Sequence, residues 1–460
     1  MSGSSNPPTP PEGVTRIGIT AWAAGGRGLG RVDGRVFMVS GGVPGDEVAA
    51  RIVKDHGRFV EAVAVRLERP SPTRRTPPCP IQTACGGCPL MVVDEASQRA
   101  AKKQFLIDAL QRIGRLGDGV PVSDVVTVPP ELGYRNKIDL TFGRDGASRA
   151  VLGYHRAGEP GALVDVFDCA IADPKLRPLL AVARSFFLEG PGAGDPALQN
   201  SIEPLRLILR ASHAADERLI AFRGLAGPFP SLRAFAQAAM AADPGLVGVV
   251  RLIAPVGRRG GAQLETIAGR AFIADEIHGT AFRVPAATFL QVHAPAAERL
   301  GAHVLLGAGS PRQVLELYGG IGSLGLALAR KGAAATIVDA DPSAIACGAE
   351  AARANGLTGV AFERADVNAF LERQPVQPPP DLLIADPPRT GLGRGVAARI
   401  AAVGPARIAM VSCDPATLAR DLAALVSGGY TIESVTPFDL FPQTAHVEAV
   451  AWLTRSAARR

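Results

Sequence analysis

From residue 286 onward the chain alternates short apolar runs with amphipathic ones, and this pattern constrains its fold more than any other feature. Residues 314–318, 336–339, 360–365, 381–385 and 407–411 read as strands. Ser323–Arg330 and residues 344–354 read as helices, the second stopped by Asn355-Gly356. Residues 430–435 and 447–453 complete a seven-stranded sheet. The expected fold class is therefore α/β, with a Rossmann-like domain over residues 286–460. Ligands bind at the carboxyl ends of strands in such open sheets. Here those ends carry the turn Gly319-Gly320-Ile321-Gly322, three aspartates (Asp339, Asp366, Asp386) and Cys413.

Cys413 follows the strand 407–411 and precedes Asp414, a natural N-cap, and Pro415, a natural first helical residue. The partial positive charge of that helix end is expected to favour the thiolate. A small buried cysteine is the plain alternative. Gly320-x-Gly322-x-x-Gly325 matches a dinucleotide fingerprint but is weak alone. Glu316 places an acid near the turn, where it would repel a pyrophosphate and suit an ammonium group. With Asp339, Asp366 and Asp386 it makes a crevice better suited to cationic S-adenosylmethionine than to NAD.

In Asp386-Pro387-Pro388-Arg389 an arginine stands where amine methylases carry an aromatic residue. With Cys413, this points to carbon methylation. Uracil C5 is a poor nucleophile until a thiolate adds at C6; a base must then take the C5 proton. Glu448, with His446 two residues before it, is the candidate base.

The chain has 460 residues, enough for several domains, and a net charge of +6. Residues 1–78 hold eleven Lys/Arg against seven Asp/Glu, so most of the excess lies there. Residues 1–13 are Ser/Pro-rich and read as a disordered tail. No run of eighteen apolar residues and no signal core is present, so a cytoplasmic protein is expected. Residues 14–69 carry short strands with glycine turns, the pattern of a small β-barrel. Arg27, Arg31, Arg35, Lys54 and Arg58 give it a candidate basic face.

After the Pro-rich stretch 70–80 come Cys79, Cys85 and Cys88, spaced C-x5-C-x2-C, with Cys169 far downstream. Four thiolates suit zinc or an iron–sulfur cluster, and three close plus one remote suit a cluster better. Residues 96–113 read as a helix with Lys/Arg on one face. Residues 134–142 and 152–156 read as strands, with Arg135, Lys137 and Arg156 as candidate phosphate contacts. Residues 70–285 are taken as a central α+β domain, of which residues 180–285 carry no readable motif.

Two resemblances follow. Gly28-Leu29-Gly30-Arg31 through Gly42-Val43-Pro44-Gly45-Asp46-Glu47-Val48 resembles a TRAM domain, an RNA-binding barrel. The chain from about Val14 to Leu453 resembles the RNA uracil-C5 methyltransferases, and within them the TRAM-bearing, iron–sulfur 23S rRNA enzymes. The residues that carry this are the four cysteines, Tyr134-Arg135-Asn136-Lys137, Phe289-Leu290-Gln291-Val292, Asp386-Pro387-Pro388-Arg389, Ser412-Cys413-Asp414-Pro415 and His446-Val447-Glu448. The resemblance implies Cys413 as nucleophile and Glu448 as proton acceptor. It implies S-adenosylmethionine contacts from Gln291, Tyr318, Ser323, Asp339, Asp366 and Asp386. It also implies a [4Fe-4S] cluster on Cys79, Cys85, Cys88 and Cys169, with Cys347 left to packing. The chain departs from the usual pattern at Gly319, His293, Ser323, Asp339 and Ala445.

The expected product is 5-methyluridine in RNA, with 23S rRNA as the partner; the barrel and cysteine cluster favour it over the T-loop of tRNA. A non-catalytic RNA-binding iron–sulfur protein and an NAD oxidoreductase are the readings from other classes.

Overall fold

A computed structural model describes residues 13–199, 204–254, 263–373 and 377–456. The expected disordered tail therefore lies, apart from Gly13, outside the described residues. The chain divides into two units: residues 1–105 with 441–446, and residues 106–440 with 447–460.

In the first unit, β1 (Val14–Ala23), β2 (Arg27–Val32), β3 (Arg35–Ser40), β4 (Glu47–Asp55) and β5 (Phe59–Arg69) close a barrel in the order β1-β2-β3-β5-β4. Alternation drives it: Ile17, Ile19, Phe37, Val39, Val48, Ala50, Val60 and Ala62 point inward and are buried together. Gly30 lets β1 and β2 approach closely, since a Cβ there would lie 2.5 Å from the Gly18 carbonyl oxygen. Buried Asp46 secures one end. It accepts from the Val43 and Ser71 amides, at 2.7 and 2.8 Å, and pairs with Arg74 at 2.7 Å.

A single turn of helix, α1 (Gln82–Cys85), holds the cysteine-rich loop, and α2 (Glu95–Arg112) follows. Lys102, expected on a basic face of that helix, is fully buried, and its ammonium donates to the Phe441 carbonyl at 2.9 Å. The segment 441–446 is pinned through Gln443. The Gln443 side-chain carbonyl accepts from Arg75 and Gln98, both at 2.9 Å, and its amide N–H donates to the Gln98 side chain at 3.0 Å.

The second unit contains two seven-stranded sheets. The first uses β6 (Lys137–Arg144), β7 (Ala150–Arg156), β8 (Glu159–Asp165), β9 (Arg206–Ala211), β10 (Arg218–Gly224), β11 (Leu246–Ile253) and β12 (Gln263–Gly269), in the order β12-β11-β10-β9-β6-β7-β8. Two helices, α3 (Arg177–Arg184) and α4 (Leu232–Ala242), belong to this region. Phe142 and Phe222 from its strands pack with Phe187 and Phe235. A hairpin, β13 (Phe272–Ile277) and β14 (Thr280–Pro285), leads to α5 (Ala294–Ala308).

The second sheet contains β15 (Gln313–Leu317), β16 (Ala334–Asp339), β17 (Val360–Arg364), β18 (Leu382–Ala385), β19 (Arg407–Ser412), β20 (Tyr430–Phe438) and β21 (Glu448–Arg455). Its order is β17-β16-β15-β18-β19-β21-β20, parallel except for β21, which runs against both neighbours. Crossovers are made by α6 (Ser323–Arg330), α7 (Pro342–Ala354), α8 (Val367–Arg373), α9 (Val396–Val403) and α10 (Pro415–Ser427). Strand order reverses at β15, between β16 and β18, which is where such sheets open a crevice. A Rossmann-like sheet of seven strands thus lies after the barrel in the chain, as the periodicity predicts.

Candidate active site

The crevice begins where β15 ends. Tyr318 has a φ of +55°, rare for a residue with a side chain. Its hydroxyl donates to the Leu392 carbonyl at 2.6 Å. Gly322 then turns the chain into α6 at a φ of +75°, and a Cβ there would lie 2.5 Å from Ile337. Backbone and space both demand glycine. The Gly320 amide donates to Asp339 Oδ2 at 2.8 Å, and the Asp341 amide to Asp339 Oδ1 at 2.8 Å.

Glu316 does not play the part expected of it. It is buried, and its Oε2 accepts from the Gly325 amide at 2.8 Å. Burial pushes its carboxyl up to about 8, with the Asp386 and Asp339 charges adding to the shift against that hydrogen bond. The side chain is a neutral brace between β15 and α6, not an acid offered to a ligand's ammonium.

Ser323 opens α6, half-buried. Asp366 is exposed after β17 and accepts from the Ala369 amide at 3.1 Å, starting α8. The Asp386 amide donates to the Leu317 carbonyl at 3.3 Å, placing this residue beside the end of β15. Tyr318, Ser323, Asp339, Asp366 and Asp386 therefore share the carboxyl edge of four adjacent strands. Gln291 lies on the segment before α5, where its carbonyl accepts from Asn136 at 3.3 Å. A glycine cradle without Cβ atoms, lined by aspartates, fits a cationic S-adenosylmethionine.

Strand register sets the second half of the site. In the β19–β21 pair Ser412 stands opposite Ala449. One step further, Cys413 follows β19 and Glu448 opens β21, so the two face each other across neighbouring antiparallel chains. Glu448 is 2% exposed, and among the described residues its buried Oε2 has no hydrogen-bond partner. Such a carboxylate is costly to keep ionised. Burial, then the Asp386 charge, pushes Glu448 well above the usual carboxylate range, with Arg389 opposing. Burial likewise takes Asp386 up to about 6.

The thiolate expectation is overturned. Burial, then the charges of Glu448 and Asp386, push the Cys413 thiol up to about 11; Arg389 acts the other way. The helix end adds little, because the Asp414 carboxylate already caps α10, accepting from the Thr417 amide at 2.8 Å. Two further residues were given no place in the site by the sequence. Arg389 is the cation beside these acids; its place after Asp-Pro-Pro was the available signal. Asp421, buried on α10, accepts from the Leu392 amide at 2.8 Å and so holds the loop after Asp386. An acid in an apolar helix face is the signal for it. His446 is exposed and precedes the start of β21, so it does not share that strand with Glu448.

The cysteine expectation is not supported. Gln82 organises the loop: its amide donates to the Cys79 carbonyl at 3.2 Å and its side chain to the Cys88 carbonyl at 3.0 Å. Yet among the described residues no three His, Cys, Asp or Glu side chains gather to hold a metal. Cys79, Cys85 and Cys88 belong to the first unit and Cys169 to the second. Cys347 is buried in the second unit's core, as a packing residue. On the barrel, Arg27 pairs with Glu61 at 3.0 Å and Arg35 with Asp55 at 2.6 Å, so two of the five expected basic residues are already paired. No helix among the described residues is long and apolar enough to cross a membrane.

A family model described as tRNA (Uracil-5-)-methyltransferase matches residues 380–456, and a TRAM domain model matches residues 14–65. An uncharacterized RNA methyltransferase of Gloeobacter violaceus is 37% identical, covering 96% of this chain and 96% of its own length. Another, from Thermosynechococcus vestitus, is 35% identical over 97% of this chain and 99% of its own. The solved Pyrococcus abyssi tRNA (uracil-54, C5)-methyltransferase, in complex with S-adenosyl-L-homocysteine, shares the fold. It covers 96% of this chain and 100% of its own, with a TM-score of 0.73 at 24% identity.

Proposed function

The chain belongs to the RNA methyltransferases that these relatives represent, and from that premise we propose that it makes 5-methyluridine in RNA by covalent catalysis. The observation that carries this is the register that sets Ser412 opposite Ala449, so that Cys413 and Glu448 come next to each other at the strand ends, with one oxygen of the buried Glu448 carboxylate unpartnered among the described residues. A thiol alone could be packing. A thiol opposite a buried acid, at the carboxyl edge of an acid-lined crevice, supplies the two groups that uracil-C5 chemistry requires.

Tyr318, Ser323, Asp339, Asp366, Asp386 and Gln291 would hold S-adenosylmethionine, which would supply an electrophilic methyl group. The Cys413 thiol gives up its proton to water and its Sγ bonds to C6 of a uracil taken out of its stack; the C5–C6 π electrons then form the C5–methyl bond as the methyl–sulfonium bond breaks and S-adenosylhomocysteine leaves. Glu448 removes the C5 proton. The electrons of that C–H bond restore the double bond and expel Cys413. Arg389 offsets the negative charge that passes through the Cys413–Glu448–Asp386 group. The barrel and the central domain hold surrounding RNA by its backbone.

The RNA partner is proposed to be 23S rRNA, in the cytoplasm; the wording of the matched family favours tRNA as the second reading. The domain limits at residues 69 and 285 belong to the same proposal. The iron–sulfur cluster enters no step of this proposal. Iron and acid-labile sulfide analysis of anaerobically purified protein decides that separate question.

Glu448→Gln tests the assignment of roles. It leaves addition and methyl transfer possible but blocks proton removal, so a protein–RNA adduct should persist on denaturing gels and carry one methyl per chain. Normal turnover by this variant would remove Glu448 from its role.

A further inference from the structure

The sheet of the central region has two unlike faces. One carries the phenylalanine cluster. On the other, register sets Lys137 opposite Arg210, and Arg206 opposite both Thr141 and Arg223. Alternation adds Asp139, between Lys137 and Thr141. Four cations and one acid share this strip.

Only part of that charge is compensated. Arg206 pairs with Asp139 at 2.8 Å. Arg210, 3% exposed, donates to the carbonyls of Pro285 and Thr288. Arg223 is exposed, and the Arg206 side chain is 43% exposed, so this end of the strip is open. Lys137 is half-buried, and among the described residues its ammonium has neither a hydrogen-bond partner nor an ion pair. Burial lowers it to about 8. The Arg210 charge lowers it next, Asp139 resists, and Arg206 and Arg223 add to the lowering. A half-buried cation beside three others, with a single acid among them, calls for an anion from outside.

The strip also has a direction. From Arg210 to Arg206 is four residues along β9, about 13 Å at the usual rise per strand residue. Its Lys137 end adjoins the segment before α5: the Asn136 amide donates to the Val292 carbonyl at 2.9 Å, next to Gln291.

We propose that Lys137, Arg206 and Arg223, with Arg210 beneath, form a seat for consecutive backbone phosphates of the RNA substrate, leading towards the Gln291 segment. This rests on the RNA reading above. Phosphate contacts of this kind position the strand without reading its sequence.

The test is equilibrium binding of an unmodified RNA transcript to the full chain, without cofactor, across a salt series at pH 7 and pH 9. Lys137→Gln should bind about tenfold more weakly, the effect typical of losing one charged hydrogen bond. Its log–log salt slope should be shallower by about 0.7, one phosphate contact on a single strand. The wild type should weaken by up to about tenfold from pH 7 to pH 9 as the amine loses its proton. Lys137→Arg should hold its affinity and lose that pH dependence. Arg223→Gln, on an exposed side chain that the fold does not need, should also flatten the slope. Arg149→Gln, on an exposed arginine paired with Asp145, should not. Unchanged slopes in Lys137→Gln and Arg223→Gln, with wild type and Lys137→Arg sharing one pH profile, would overturn the seat. Binding is read without methyl transfer, so the two ideas fail separately. Altered slopes without 5-methyluridine would remove the chemistry and keep the seat; 5-methyluridine with unaltered slopes would do the reverse.

Discussion

Cys413 and Glu448 oppose one another's ionisation, and Asp386 opposes both. A nucleophile held at about 11 is almost wholly protonated at neutral pH. Its alkylation by iodoacetamide should therefore be slow at pH 7 and rise close to tenfold per pH unit up to about pH 10. Glu448→Gln removes one of the charges that raise it, so the same alkylation should be faster at every pH below 10. A fast, pH-independent reaction in the wild type would contradict this electrostatic picture. The residue types were legible in the sequence: a cysteine after a strand, an acid before one, aspartates at strand ends. Their influence on one another was not. Asp414 looks like part of a positive helix end when read along the chain, yet it caps that end. The acids that raise the thiol arrive from β18 and β21, separated from Cys413 by tens of residues and joined to it only by sheet pairing.

At the scale of elements, the glycine turn and its brace invite two tests. Gly322→Ala forces a side chain into a φ of +75° and against Ile337. It should weaken S-adenosylhomocysteine binding at least tenfold by titration calorimetry, while wild-type affinity would show the turn to be tolerant. Glu316→Gln keeps an acceptor for the Gly325 amide but no longer titrates. The folded pKa of Glu316 lies above its unfolded value of 4.5, near 8. Its contribution to stability is full below pH 4.5 and is lost as pH rises through about 8. The melting temperature of the wild type should thus fall more steeply between pH 5 and pH 8 than that of Glu316→Gln. Equal slopes would mean that Glu316 is not buried as a neutral acid.

Elements were readable where strand and helix alternated regularly, even for strands as buried as β18 and β19. Ser323–Arg330 was placed to the residue, and β15 to β21 within a few residues. The region from β9 to β14 was opaque for a physical reason. Leu207 to Ala211 are all buried, so β9 shows no alternation, and its flanking arginines resemble a loop. The strand at Lys137 also begins later than its pattern suggested, because residues 134–136 are engaged outside it; Arg135, for example, bridges to Ala172.

For the whole molecule, the barrel and the seven-stranded domain followed from periodicity, and the family from scattered motifs. What the linear order hid is that residues 441–446, lying between the last two strands of the second unit, cluster with the first. Nothing local marks Gln443 as the partner of Arg75 and Gln98, since those contacts span more than 300 positions. The net charge of +6 likewise gave only a direction towards an acidic partner. The structure distributes that charge unevenly, pairing Arg27 and Arg35 on the barrel and leaving Lys137 without a partner among the described residues of the central sheet.

The central claim is that this chain methylates C5 of uridine in RNA. Nucleoside mass spectrometry tests it most directly, after incubation of the protein and S-adenosylmethionine with unmodified 23S rRNA and, separately, unmodified tRNA. 5-Methyluridine is expected from the wild type, in the rRNA reaction first, and none from Cys413→Ala. Product in tRNA alone would move the substrate and keep the chemistry. A methyl group on any other base or atom, or full 5-methyluridine formation by Cys413→Ala, would contradict it.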